Sequence, residues 1–297
     1  MAPLGVPDSL PVRRILVTGA RGQLGGRLMQ SAEAAGLPIE GVGSTELDIT
    51  DADAVGSWVT PNSVVVNCAA YTAVDAAESD EAAAAAVNET GARNLAAACA
   101  RAGAGLIHVS TDYVFSGDRS GDEAVPYEPG DPTGPRTAYG RTKLAGERAI
   151  RELFPAAQIV RTAWIYTGVG TDFVATMLRL EREKDTVSVV DDQVGSPTYA
   201  VDLAAGLLEL ARVGGPVGAT LHATNAGSAT WFDLARAVFA GVGADPERVR
   251  PCTSAEFVRP APRPAYSVLS PHAWEAAGLT PLRPWRDALV DALAQRR

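Results

Sequence analysis

An α/β fold, with a doubly wound parallel sheet and a smaller C-terminal domain, is what the sequence predicts, on three observations. A β-branched run at Arg13 to Thr18 ends in glycines and passes straight into a helical pattern from Gln23 to Ala35, the order strand, turn, helix. Short apolar runs then recur between helix-length segments, which calls for right-handed crossovers and a sheet covered on both faces. After about Tyr166 this alternation gives way to short helical pieces and to prolines clustered between Pro251 and Pro284, the texture of a second unit.

In chain order, the further strands are expected at Pro38 to Val42, Ser63 to Cys68, Gly105 to Ser110, Gln158 to Arg161 and Thr220 to Ala223. Ala76 to Ala102 is so rich in alanine and other helix formers that it reads as one long helix packed closely on the sheet. Residues 1–167 thus form the first domain and 168–297 the second. The division is interleaved, because 198–225 resembles one more helix and strand of the first unit. No internal repeat is present.

The 297 residues include 46% apolar and 21% charged side chains, which fits a folded, enzyme-sized protein and excludes disorder or a disulfide scaffold. A net charge of −9 disfavours nucleic acid and anionic membranes as partners, so an anionic substrate needs a local arginine pocket. Only Lys143 and Lys184 are lysines, and both can be weighed individually. Cys68, Cys99 and Cys252 fit no CxxC or zinc spacing and read as buried thiols of a reducing compartment. The opening residues lack an apolar core of signal-peptide length and no 18 apolar residues run together, so a cytoplasmic location is expected.

The segment VTGARGQLGGRL places Gly19, Gly22 and Gly25 in a GxxGxxG array between the first strand and the first helix. Small residues are needed there for a sharp turn and for close approach of a pyrophosphate, whose charge rests on the helix N-terminus. A glycine-rich turn without ligand would look the same in isolation; its place in a Rossmann-type alternation favours the dinucleotide. Gly19, Arg21, Gly22, Gln23, Leu24 and Gly25 are the cofactor residues of this turn. The second strand ends in Gly41, Val42, Gly43 and Ser44, with no carboxylate to repel a 2′-phosphate, and Arg21 stands where it could pair with one. NADPH is therefore expected, with NADH also usable. Asp48 either hydrogen-bonds the adenine edge or caps the next helix.

Tyr139 and Lys143 are four residues apart on a helical segment and share a face. An ammonium beside a phenol stabilises the phenolate and lowers its pKa towards the working pH, so that the tyrosine can exchange a proton with a carbonyl oxygen. A hydroxyl from the end of the Gly105 to Ser110 strand would orient that carbonyl, and Thr111 is the candidate; Ser110 and Thr111 also suit local turn bonds.

At this point the chain resembles the extended short-chain dehydrogenase/reductase family, and within it the reductases of nucleotide-linked 4-keto sugars. The resemblance covers nearly the whole chain. It rests on TGARGQLG (18–25), ELDITD (46–51), VNCAAYTAVDAAE (66–78), VSTDYVFSG (109–117), YGRTKLAGE (139–147), RTAWIY (161–166), DDQVGSPTY (191–199) and RPAYSVL (263–269). It implies a triad of Thr111, Tyr139 and Lys143, and cofactor contacts from the glycines, Asp48, Ile49, Ala69, Ala70, Tyr139 and Lys143. It also implies a dTDP-4-keto-6-deoxy sugar as substrate, with Thr72, Val74, Asp112, Tyr113 and Trp164 lining its pocket, and a smaller C-terminal domain that is substrate-binding. Asn225 and Arg263 are weaker candidates for the nucleotide. Trp164 also suits plain core packing, and Arg263 an ordinary surface site. Tyr71 stands where relatives often carry His, and the loop between Thr111 and Tyr139 is a few residues longer than in some relatives.

The reaction so implied is hydride delivery to the C4 ketone and protonation of the alkoxide by Tyr139. A 4,6-dehydratase is disfavoured because Asp112 is followed by Tyr113 and not by the second carboxylate that elimination requires. A 4-epimerase shares the triad but not the subgroup motifs. A regulatory subunit like that of methionine adenosyltransferase would need no triad, yet all three members are present. Some family members dimerise through carboxylate-bound Mg²⁺. No ligand cluster here can be assigned to it, so the sequence leaves metal, homodimer and sugar stereochemistry undecided.

Overall fold

A computed structural model describes residues 14–120 and 124–295. Arg13, the tail before it and part of the loop that follows Thr111 lie outside the described residues. The chain opens with β1 (Ile15–Thr18), α1 (Gln23–Ala34), β2 (Ile39–Val42), α2 (Ala52–Trp58) and β3 (Val64–Asn67). It continues through α3 (Val74–Ala77), α4 (Glu81–Ala85), a π-helical segment (Ala86–Gly91), α5 (Ala92–Ala102), β4 (Gly105–Thr111), α6 (Ala138–Leu153) and β5 (Gln158–Thr162). After β6 (Ile165–Tyr166) come α7 (Phe173–Glu183), β7 (Val187–Val190), β8 (Val194–Gly195), β9 (Thr198–Tyr199) and α8 (Ala200–Val213). The last elements are β10 (Thr220–His222), β11 (Ala229–Thr230), α9 (Trp231–Gly241), β12 (Val249–Cys252), α10 (His272–Ala276) and α11 (Trp285–Ala294).

Six strands form one sheet in the order β10-β5-β4-β3-β1-β2, every pair parallel. Because side chains alternate along a strand, Ile15 and Val17 face one layer while Leu16 faces the other, and Val64 and Val66 divide from Val65 in the same way. The first layer is built with α1 and α8, the second with α2, α5 and α6. From β1 the chain moves outward to β2 and then returns to place β3 on the other side, so the strand order reverses between β1 and β3. Ligands of open α/β sheets bind at the carboxyl ends of strands flanking such a point.

The expected single helix over Ala76 to Ala102 is corrected. Asp80 accepts a hydrogen bond from Ala83 N at 3.0 Å and caps a new helix, and the chain widens into the π segment before α5. The cause is tertiary: buried Asn88 accepts from Tyr71 N (2.9 Å) and donates to Tyr71 O (3.2 Å) and Thr142 Oγ1 (3.1 Å). The extra residue per turn aims Asn88 inward, a recurrent use of π bulges near functional sites. Helix α6 crosses so closely that a Cβ on Gly146 would meet the Asn88 carbonyl.

Helix α6 is pinned to β5 by a buried bidentate pair, with Arg161 Nε and Nη2 donating to Glu147 at 2.9 and 2.7 Å. Around α7, α9 and α11 a separate apolar cluster gathers Tyr166, Val189, Phe239 and Trp285. Trp274 and Leu279, although late in the chain, pack instead with α1 and α8 on the sheet. Among the described residues no helix is long and apolar enough to cross a membrane.

Candidate active site

A cavity of about 920 Å³ opens over the carboxyl ends of β1, β3 and β4 and extends to the start of α9. At its phosphate-binding end Gly19 adopts φ +68°, and a Cβ there would lie 2.6 Å from Ala69 N. A Cβ on Gly25 would run into the Gly19 carbonyl, so both positions must be glycine for helix, turn and β3 to close on one another. Gly22 begins α1 without a side-chain cap, and the first turn of the helix carries no acidic residue. Its amides therefore face the cavity uncompensated, which suits an anion.

The reading of the second strand is corrected at one position. Glu46 folds back to the end of β2, where it accepts hydrogen bonds from Gly43 N (3.0 Å) and Thr45 Oγ1 (2.9 Å) and pairs with the Arg21 guanidinium. Arg21 and Thr45 hold its carboxyl down at about 2, so it is ionised throughout the physiological range. A carboxylate does stand at the end of β2, against cavity-lining Arg21 and Gly43. It was missed because it lies in the loop and not on the strand. Asp48 lines the cavity, but its carboxylate accepts from Thr50 N and Oγ1 at 2.9 and 2.8 Å, and Asp51, not Asp48, caps α2.

Ile49, Ala69, Ala70, Thr72, Val74, Thr111, Asp112, Tyr113, Tyr139, Lys143 and Trp164 all line the same cavity. Tyr139 is buried, which pushes its phenol up to about 12, while the Thr111 hydroxyl beside it pulls the other way. The expected lowering by Lys143 is absent. Nζ is turned to the Val109 carbonyl (2.8 Å) and to His108 Nε2 (3.2 Å), and no hydrogen bond joins it to the phenol. Burial brings the lysine itself down to about 8. Thr111 Oγ1 both donates to Asp112 Oδ1 (2.9 Å) and accepts from Tyr113 N (3.2 Å), so its local turn bond and its place beside Tyr139 coexist.

Buried Asp112 is raised to about 6 by desolvation, which Ser267 and Thr111 oppose, and its Oδ2 has no hydrogen-bond partner among the described residues. Ser110 Oγ, Thr162 Oγ1 and Tyr166 OH are likewise buried and unpartnered on the cavity wall. Tyr113 meets Tyr139 edge to face at 5.6 Å. Trp164 sits at φ +45°, a strained conformation for a bulky residue, and stacks on Trp231 with centroids 3.5 Å apart. A Cβ on Gly195 would fall 2.6 Å from the indole Nε1. Trp231 was missed because nothing in the local sequence links it to a residue so far away.

Two expected nucleotide contacts do not line this cavity. Asn225 is buried outside the cavity, accepting from Tyr199 N (2.7 Å) and donating to Asp202 (2.7 Å) and the Arg283 carbonyl (3.0 Å), so it is an anchor between β9 and the C-terminal segment. Arg263 pairs with Asp75 at 2.8 Å, behind Tyr113 and beside the cavity. The three cysteines are free thiols, Cys68 and Cys99 pushed up to about 12 by burial. Among the described residues no three His, Cys, Asp or Glu side chains converge to hold a metal.

The switch-point turn, and the hydroxyl, phenol and amine gathered over β4, define the class: an extended short-chain dehydrogenase/reductase fold. The family model described as the RmlD substrate binding domain matches residues 13–297. The dTDP-4-dehydrorhamnose reductase of Mycobacterium tuberculosis H37Rv is 57% identical over 282 residues, covering 95% of this chain and 92% of that protein. The dTDP-4-keto-6-deoxy-D-glucose reductase of Streptomyces niveus is 46% identical over 282 residues, 94% of this chain and 96% of that one. A crystal structure of dTDP-4-dehydrorhamnose reductase from Bacillus anthracis, in complex with NADP, superposes with a TM-score of 0.89 at 36% identity over 95% of this chain and 99% of that one. This chain belongs to the dTDP-4-dehydrorhamnose reductase family.

Proposed function

We propose that the protein reduces the 4-keto group of a dTDP-linked 4-keto-6-deoxyhexose, dTDP-4-dehydro-L-rhamnose or a close relative, with NADPH as the preferred cofactor and NADH as an alternative. The observation that carries the reading is the burial of Tyr139 and Thr111 in the same cavity as the glycine turn. Gly19, Gly22 and Gly25, with the first amides of α1, would hold the pyrophosphate, and Asp48, Ile49, Ala69 and Ala70 flank the rest of the cofactor site. The bound cofactor supplies the hydride and the protein supplies geometry and a proton. Residues 1–167 with 198–225 serve as the cofactor module, and the remainder of 168–297 as the sugar module.

Thr111, rotating its one hydroxyl proton from Asp112 to the ketone oxygen, fixes the carbonyl within reach of the phenol. The hydroxyl of Tyr139 then gives its proton to the alkoxide oxygen. A phenol held at about 12 is a reluctant acid, so Lys143 has to turn towards it as an ammonium to stabilise the phenolate left behind. Asp112, Tyr113, Trp164, Thr72 and Val74 form the wall on which the sugar rests. Arg21 binds the 2′-phosphate by exchanging the Glu46 carboxylate for it.

The test is product analysis by NMR after incubating the protein and NADPH with the 4-keto-L-rhamnose and 4-keto-D-glucose nucleotides side by side. Oxidation of NADPH with formation of the 4-hydroxy sugar supports the proposal, and the configuration at C4 separates the rhamnose pathway from an antibiotic-type ketoreductase. Cofactor binding with no turnover of either nucleotide would favour a regulatory subunit instead.

A further inference from the structure

Beneath Lys143 lies a chain of buried polar groups that the chemistry above does not use. Thr18, Asn67 and His108 are register partners on β1, β3 and β4, so their side chains stand beside one another across the sheet. Asn67 Oδ1 accepts from the Thr18 hydroxyl at 2.7 Å and from Ala69 N at 3.0 Å. A backbone amide can only donate, so Ala69 dictates which end of the Asn67 side chain is oxygen. Its Nδ2 is left facing His108 Nδ1 at 2.9 Å. That nitrogen too only donates, and His108 Nδ1 is therefore bare.

Burial, with Lys143 and Arg151 nearby, keeps the imidazole neutral, its pKa well below 6.5. A neutral ring with a bare Nδ1 carries its proton on Nε2. Nε2 lies 3.2 Å from Lys143 Nζ, whose other partner is the Val109 carbonyl at 2.8 Å. An N–H pointing at Nζ needs a lone pair there, and an ammonium has none. The arrangement that satisfies every atom is an amine accepting from His108 and donating to Val109.

We infer that His108 is a positioning residue: locked as its Nε2–H tautomer by Asn67, it captures the deprotonated form of Lys143 and holds that amine turned away from Tyr139 in the cofactor-free protein. The inference rests on the reading of Lys143 as the partner of Tyr139. A proton taken up from solvent at Nζ breaks the His108 contact and frees the ammonium to turn towards the phenol. The other titratable groups facing Lys143 do not override this. Cys68, just past β3, is a buried protonated thiol; on the lysine's own helix Tyr139 is a neutral phenol, and Glu147 is already bound on both oxygens by Arg161. The lowering of Lys143 to about 8 by burial runs in the same direction.

The test exploits the presence of two lysines and three histidines in the whole chain. With ¹³C-lysine and ¹⁵N-histidine labels in the cofactor-free protein, Lys184→Arg assigns the lysine signals and His108→Phe the ring. The expected results are a Lys143 midpoint near 8 and a His108 ring with Nε2 protonated and Nδ1 bare throughout the titration. His108→Phe, which keeps the bulk and removes the donor, should raise the Lys143 midpoint by about one pH unit, a tenfold change in acid constant. His108→Gln, whose amide can again donate, should restore it. An imidazolium or an Nδ1–H tautomer in the wild type overturns the inference, and so does a midpoint indifferent to residue 108. The wild-type spectrum decides the matter even if His108→Phe does not fold. Failure of the reductase reading looks different: no turnover of the sugar nucleotides, with both titrations unchanged.

Discussion

Arg21 and Lys143 bring the same charge to one cavity, but Arg21 lies in solvent against the Glu46 carboxylate, whereas Lys143 is 2% exposed and its hydrogen-bond partners are a ring nitrogen and a carbonyl. Water screens the first pair, so the carboxylate can be exchanged for another anion at little cost. The second cation has no bulk water to solvate it and no carboxylate in contact, and the low dielectric acts on its protonation state instead. One end of the site is thus a fixed cradle with an exchangeable charge. The other is a fixed hydrogen-bond frame in which a proton is the thing that moves.

The strongest way to break this contrast is Tyr139→Phe, which removes the proton donor and leaves the cradle intact. It should lower kcat by about 10²- to 10⁴-fold while NADPH affinity, read by fluorescence titration, stays near the wild-type value. Equal loss of both would mean that the two ends are not separable.

Asp112 extends the comparison to a buried charge of the opposite sign. Its carboxyl sits at about 6 in the fold against 3.8 in an unfolded chain, so the folded state binds more protons between those values. Its stabilising contribution is complete below about pH 4 and is lost as pH rises through 6. Asp112→Asn should therefore be more stable than the wild type at pH 8 by about 3 kcal/mol, with the difference vanishing near pH 4, in urea titrations at the two pH values. A difference independent of pH would show that Asp112 is not desolvated as described. The same variant should bind the sugar nucleotide less well, because Asp112 lines the cavity and orients the Thr111 hydroxyl.

Gly25→Ala tests the cradle from the other side. The added methyl meets the Gly19 carbonyl, and an overpacked contact of this kind costs about 1–3 kcal/mol. The expected result is a rise of roughly ten- to a hundredfold in the KM for NADPH with kcat much less affected, the reverse of the Tyr139→Phe pattern.

What the sequence disclosed follows the same division. The strands, the glycine turn and α6 were legible because apolar periodicity and small-residue spacing are local signals, and β1, β3, β4 and β5 fall within a residue or two of their expected bounds. The break before Glu81 and the π segment at Asn88 were not, because an alanine-rich run gives no sign of where a tertiary hydrogen bond to Tyr71 outweighs helix propensity. Asn225 misled for a related reason: a polar side chain at a strand end reads alike whether it meets a ligand or, as here, ties Tyr199 to Arg283. Trp231 and Glu46 act through space, one stacked on Trp164 and the other folded back onto Arg21. The turned-away Lys143 depends on His108, whose tautomer is set on the neighbouring strand at Asn67, itself bonded to Thr18 one strand further on.

The smallest expected effect belongs to the exposed pair. Glu46→Gln keeps the side chain's length and its ability to accept from Gly43 N, but releases Arg21 from its counter-charge. The 2′-phosphate of NADPH then meets an unpaired guanidinium, a gain that NADH, lacking that phosphate, does not share. Because the pair lies in solvent, the ratio of kcat/KM for NADPH over NADH should rise only about two- to fivefold, and the gain should shrink as salt is raised towards 0.5 M or so. A shift of a hundredfold, or one insensitive to salt, would show that Arg21 and Glu46 are shielded from water when the site is in use. The exposed end would then obey the same rule as Lys143.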